Sequence, residues 1–230
     1  MIIVDEQGIE DAFDQLEKEG YFDRVNMKSL KEDVEEEIRN IKEHYKNLEE
    51  LFAKKRIPAC KIIMDTIENL KESPDLTIKY PWLGEYGDKT IYVFLVENFL
   101  SDKEEGKKFD EIKKELKKIS QESSNGEKIL LCRRNKKSQT WENVQKNNYV
   151  YLYVGSSKDI HQRLKEHLFL YKPKTYAMHL EKWFDKNKTI NITMWDFSDF
   201  LDGENSDYLQ TIEDLLWNHY QPLFGRQGKK

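Results

Sequence analysis

Tyr151-Leu-Tyr-Val-Gly-Ser-Ser-Lys-Asp-Ile-His-Gln-Arg-Leu-Lys-Glu-His-Leu168 is the stretch on which the fold turns. Its first half, aromatic and β-branched, reads as a strand that ends at Gly155, where the missing Cβ lets the chain turn. Its second half reads as a helix opened by Ser157 or Asp159, either of which can accept a bond from the first free backbone N–H groups. Arg163 and His167 are then i and i+4, so they share one helix face beside the strand that carries Tyr153. A guanidinium next to an imidazole offers a phosphate a two-pronged donor and a second donor or proton-transfer group. An isolated RxxxH pair is more often a solvated helix face, so the combination with the strand end carries the weight.

Outward from that stretch, further strands are expected at Thr90–Val96, Lys128–Cys132 and Thr189–Trp195, which are rich in aromatic and β-branched residues. Helices are expected at about 102–121, 158–170, 175–186 and 205–220. The pattern is a small mixed sheet with flanking helices, an α/β (α+β) domain. Upstream, Leu30, Val34, Ile38, Ile41, Tyr45, Leu48 and Phe52 recur at helical spacing and predict a long amphipathic helix, with shorter helices at 8–19 and 59–72. Its apolar stripe either packs on those neighbours or forms a seam with a second copy of the chain. The helical pattern stops at Glu72-Ser73-Pro74-Asp75. The expected division is a helical region over 1–73 and a second domain over 74–230.

Composition bounds the function. The chain has 230 residues, 38% hydrophobic and 35% charged, with 12 Tyr and 11 Phe, enough for a packed core under a heavily charged surface. No apolar run approaches the length of a membrane span and the start lacks the pattern of a secretory leader, so the expectation is a cytoplasmic protein with no membrane partner. Cys60 and Cys132 form no CxxC pair and are expected to be buried packing residues. There is no GxSxG and no GxxxxGK[ST], which disfavours serine-nucleophile and P-loop chemistry. The net charge of −5 hides a segregation: residues 1–56 carry 16 acidic and 10 basic side chains, whereas 128–174 carry 11 basic ones against only Glu142, Asp159 and Glu166. A polyanion would go to the basic segment.

Tyr153-Val154-Gly155-Ser156-Ser157, followed by Arg163 and His167, resembles the second motif of the GIY-YIG nuclease family, and the resemblance spans about residues 76–230. Thr90-Ile91-Tyr92-Val93-Phe94 resembles the first motif with Thr replacing Gly, which puts the first-motif tyrosine at Tyr92; the alternatives are Tyr149 and Tyr151, expected on the same sheet face as Tyr153. The 61 positions between Tyr92 and Tyr153 then require an inserted helix at about 102–121. A third strand at 189–195 and Glu213 in the last helix follow in the family's order, and Gly225 stands where the family has asparagine. The resemblance implies a GIY-YIG-like fold and a metal-dependent endonuclease, a hydrolase of phosphodiester bonds in nucleic acid, with DNA the expected substrate. It implies catalytic roles for Tyr92, Tyr153, Arg163, His167 and Glu213, with Glu213 holding Mg²⁺ or Mn²⁺, Arg163 gripping a phosphate oxygen and Tyr92 acting as base or water orienter. Lys136, Lys137, Lys158, Lys172, Lys174 and Arg226 are the expected backbone-tracking residues. The rival expectations are a binding module of the same fold that has lost catalysis, and an interaction protein that self-associates through the N-terminal helix.

Overall fold

A computed structural model of the chain describes residues 27–97, 130–132, 135, 149–169, 175–203 and 207–225. The expected helices at 8–19 and 102–121 lie outside these residues. The chain divides into two compact units between Arg56 and Ile57. The first holds α1 (Met27–Lys54), a run without internal Gly or Pro that ends shortly before Pro58. On α1, Leu48 and Leu51 are buried, Ile38 and Phe52 are half-buried, and Ile41 and Tyr45 are 37% and 41% exposed. The stripe residues Leu30 and Val34 fall where side chains are not described.

The second unit is α+β. Its elements are β1 (Cys60–Thr66), α2 (Ile67–Glu72), α3 (Leu76–Lys79), a 3-10 turn at Pro81–Glu85, β2 (Thr90–Glu97), β3 (Leu130–Leu131), β4 (Tyr149–Ser157), α4 (Ile160–Leu168), β5 (Tyr176–Ala177), a second 3-10 turn at Leu180–Lys182, β6 (Thr189–Asp196) and α5 (Asp207–Tyr220). Four strands form one sheet in the order β1-β6-β2-β4, with every pair antiparallel. The mixed sheet expected from sequence is therefore corrected: the parallel pairing belongs to a separate two-stranded sheet, β3 with β5. Alternation along the strands splits the core in two. Ile63, Ile192, Met194, Tyr92 and Phe94 face α2, α3 and α4, whereas Val93 and Val154 face Trp217 of α5.

Two helical expectations fail for identifiable reasons. Residues 60–66, read as the start of a helix over 59–72, pair along their whole length with β6 from Cys60↔Trp195 to Thr66↔Thr189. The helix begins only after Thr66, whose hydroxyl accepts the Asn69 N–H at 3.2 Å. With β1 in the sheet, the second unit starts at Ile57, upstream of the Ser73–Pro74 breaker. Residues 175–186 form β5 and a 3-10 turn, because His179 turns into the left-handed region at φ 50°. Cys60, expected to be buried, is exposed on the edge strand, and Cys132 is half-buried. Among the described residues, no helix is long and apolar enough to cross a membrane.

Candidate active site

The site gathers at one end of the sheet, where β2 begins and β4 ends. Tyr92 on the central strand β2 lies opposite Gly155 on β4. A Cβ at Gly155 would lie 2.6 Å from Tyr153 Cε1 and 2.8 Å from the Tyr92 hydroxyl, so only glycine lets both rings close over the strand. The two tyrosines stack nearly parallel, with centroids 5.9 Å apart and planes at 14°.

A β-bulge decides which tyrosines reach this place. Phe94 pairs with Tyr153 but Leu95 pairs with Tyr151, so Leu152 is an extra residue. The bulge breaks the alternation that would have put Tyr151 and Tyr153 on one face. Tyr151 turns to the α5 side and stacks on Tyr220 at 4.1 Å, while Tyr153 stays with Tyr92. Of the three tyrosines considered from sequence for the first position, Tyr92 stands in the cluster and Tyr151 does not; the side chain of Tyr149 lies outside the described residues.

Helix α4, capped by the Asp159 carboxylate on the Gln162 N–H at 2.9 Å, brings Arg163 and His167 over the tyrosines. Its buried positions Ile160, Leu164, His167 and Leu168 fall at helical spacing and press that face on the sheet. The backbone N–H of Met178 donates to His167 Nδ1 at 3.2 Å. With Nδ1 accepting, a neutral ring must carry its proton on Nε2, and the 3.1 Å contact between Nε2 and the Tyr92 hydroxyl is a bond donated by the imidazole. Arg163 Nε donates to the same oxygen at 3.1 Å. Tyr92 Oη thus accepts twice, which directs its own proton away from both donors.

Burial governs the charge states. It pushes the Tyr92 hydroxyl well above the usual phenol range despite the pull of Arg163, so Tyr92 is a phenol at neutral pH. Burial, assisted by the Arg163 charge, holds His167 well below the ordinary imidazole range, which keeps it neutral. Tyr153 is pushed up to about 12, chiefly by burial.

Arg163 is heavily engaged. Beyond Tyr92 it donates through Nη1 to Glu166 at 3.0 Å, and through Nη2 to the Tyr176 carbonyl at 2.8 Å and the Tyr153 hydroxyl at 3.5 Å. Of the five N–H groups a guanidinium offers, one Nη1 hydrogen has no bond to the described residues. Glu213, half-buried on α5, accepts from the Ser156 hydroxyl at 2.6 Å. Burial raises its pKa, with Ser156 and Arg163 pulling the other way, and its charge acts on both Tyr92 and Tyr153.

Tyr92, Tyr153, Arg163 and His167 therefore meet at one place, and Glu213, bonded to Ser156, lies near enough for its charge to act on both tyrosines. Of the expected backbone-tracking residues, Lys158 is exposed in the turn between β4 and α4; Lys136, Lys137, Lys172, Lys174 and Arg226 lie outside the described residues. Gly225 adopts φ +98°, and a Cβ there would lie 3.2 Å from Tyr153 Cε2, so the backbone itself demands glycine where the resemblance expects asparagine.

Sequence reasoning missed the supports. Glu166 was legible as the i+3 neighbour of Arg163. Ser156 stood in the quoted motif without an assigned role, and Tyr176 and Met178 carried no signal, since they act through the backbone. The chain from Tyr176 to Trp183 is a clamp: it holds Arg163 by a carbonyl and His167 by an amide, and Trp183 Nε1 bonds back to the Met178 carbonyl at 2.7 Å.

Among the described residues no group of three or more His, Cys, Asp or Glu is placed to hold a metal, so Glu213 would be the protein carboxylate, with water and phosphate oxygens filling the other positions as hard cations accept. No family model matches the chain, and neither a curated protein nor a solved structure matches it.

Proposed function

We propose that the chain is a metal-dependent endonuclease of the GIY-YIG type, hydrolysing phosphodiester bonds in nucleic acid, with DNA as the substrate. The observation that carries this reading is the double donation to Tyr92 Oη by Arg163 Nε and His167 Nε2, with Glu213 within electrostatic reach. Two donors, one of them cationic, fix both the position and the proton direction of a phenol, as a site that orients a reacting water or phosphate oxygen requires.

In this reading Tyr92 is an orienting group: Arg163 and His167 lock its oxygen and so leave its hydroxyl proton for a reacting group. His167 is a fixed donor, since its Nδ1 is committed to Met178. Arg163 contributes positive potential and its remaining Nη1 hydrogen to the phosphate, while Glu166 and the Tyr176 carbonyl hold it in place. Tyr153 walls the site and bonds Arg163. Glu213 would hold the Mg²⁺ or Mn²⁺ ion, whose chemistry is to neutralise phosphate charge and assist the departing oxygen. Lys158, exposed in the turn between β4 and α4, would meet the backbone of the bound strand.

Incubation of supercoiled plasmid with the protein and Mg²⁺, Mn²⁺ or EDTA tests this reading, with Glu213→Gln in parallel. Metal-dependent nicking that is lost in the variant supports it. Salt-sensitive binding with no cleavage under any metal would overturn it in favour of a module that only binds nucleic acid. Self-association through α1 is supported separately by the exposure of Ile41 and Tyr45 on its apolar stripe.

A further inference from the structure

On the face of the sheet that carries Tyr92, the register places Lys61, Met194, Tyr92 and Gly155 in one row, since Lys61 pairs with Met194, Met194 with Tyr92 and Tyr92 with Gly155. Neighbouring strands lie about 4.8 Å apart, which sets Lys61 roughly 10 Å from Tyr92 along that row. Over the Lys61 end stand three aromatic rings contributed by Tyr80, Trp82 and Tyr86, around the 3-10 turn at 81–85. Trp82 is the middle ring, 5.9 Å from Tyr80 and 5.7 Å from Tyr86, and Lys61 Nζ lies 5.3 Å from its centroid and 5.9 Å from that of Tyr86.

Packing accounts for one side of each ring: Tyr80, Trp82 and Tyr86 lie against the core, and the Tyr80 and Tyr86 hydroxyls donate to Asp65 Oδ2 at 3.0 Å and to the Met194 carbonyl at 3.4 Å. Leu83, 2% exposed, and Leu76, fully buried, fill the core beneath the turn, whereas all three rings stay half-exposed beside an exposed lysine. An indole face next to an ammonium group is the pairing that takes a nucleobase on the ring and its phosphate on the cation. The Glu85 carboxylate at 3.6 Å holds Lys61 in the free protein; Glu85 and Lys61 side chains are 75% and 44% exposed, so a phosphate displaces the carboxylate at little cost.

We infer that Tyr80, Trp82, Tyr86 and Lys61 form a second nucleic-acid subsite, a stacking platform for an unpaired base on the strand that runs from the site around Tyr92. The distance corresponds to about three nucleotides of a stacked strand, at the rise of about 3.4 Å that each strand has in duplex DNA, and to fewer of an extended one. The placement rests on the nuclease reading; the platform itself rests only on the rings and the lysine. It selects substrates with a single-stranded stretch beside the cut over uninterrupted duplex.

The test is fluorescence anisotropy in EDTA with a labelled single-stranded oligothymidylate and a labelled blunt duplex, on the full chain and on Trp82→Leu, Trp82→Phe, Lys61→Gln and Glu85→Gln, each checked for an unchanged Tm. Trp82→Leu keeps apolar bulk and removes the stacking face. The platform predicts single-strand affinity about tenfold weaker in Trp82→Leu, within about twofold of wild type in Trp82→Phe, weaker in Lys61→Gln and tighter in Glu85→Gln, with duplex affinity unmoved. Equal single-strand affinity for Trp82→Leu and wild type overturns the platform, as does an equal loss for single strand and duplex. Wild-type protein that cuts plasmid while Trp82→Leu binds single strands normally would leave the nuclease reading standing without the platform. Trp82-dependent single-strand binding by a protein that never cuts would leave the platform without the nuclease, and no binding of either probe would overturn the platform outright.

Discussion

At the residue scale one imidazole and one phenol define the site. His167 is neutral because burial and Arg163 depress its pKa, and its tautomer is fixed because the Met178 amide occupies Nδ1. The stability consequence has a definite sign. A base whose folded pKa lies below its unfolded value binds fewer protons when folded, so its favourable contribution is present above the unfolded pKa of about 6.5 and is lost as pH falls toward the folded value, at about 1.4 kcal/mol per pH unit. Thermal unfolding of wild type and His167→Gln at about pH 7.5 and about pH 5 should show the larger fall in Tm for wild type; equal falls would mean that His167 is not buried neutral. Part of this was legible in the sequence: i,i+4 spacing put Arg163 and His167 together, and Gly155 announced a close approach. The tautomer was not legible, because its determinant is a backbone amide from a segment eleven residues later. Nor was the engagement of Arg163, which makes it a holder of Tyr92.

At the element scale β4 does the positioning. Its bulge sends Tyr151 and Tyr153 to opposite faces, and the glycine two residues after Tyr153 admits both rings of the stacked pair. Gly155→Ala should destabilise the fold by about 2 kcal/mol through overpacking and displace the Tyr92 hydroxyl from its two donors. Tm reports the first effect and plasmid cleavage the second; a variant as stable and as active as wild type would show that the rings are free to shift. Strands β2, β4 and β6 and helices α4 and α5 were readable because their periodicity agrees with their burial. The segments 59–72 and 175–186 were not. In the first, a strand and a helix abut with only the Thr66 cap between them, so apolar positions of two periods merge into one apparent helical stripe. In the second, His179 takes a left-handed conformation that sequence does not signal in a non-glycine residue, and backbone bonds to Arg163 and His167 replace those a helix would make.

At the scale of the whole molecule, α1 and the sheet unit belong to separate compact units, and the sequence segregates charge between them: the acidic excess lies over residues 1–56 and the basic excess over residues 128–174. If α1 self-associates through its apolar stripe, sedimentation should show mass rising with concentration, and Ile41→Asp should abolish the rise; a wild-type chain monomeric throughout would remove the oligomer from the account. The division at Arg56 could not be read from sequence because the Pro74 breaker is a stronger local signal than the start of an edge strand, yet it falls inside the unit. The claim that ties the scales together is that Tyr92 Oη, held by Arg163 and His167, orients the reacting groups of a phosphodiesterase, and Tyr92→Phe tests it most directly because the ring stays and only that oxygen goes. Cleavage of supercoiled plasmid in Mg²⁺ or Mn²⁺ should fall about 100-fold or more in the folded variant, whereas cleavage at the wild-type rate would contradict the account.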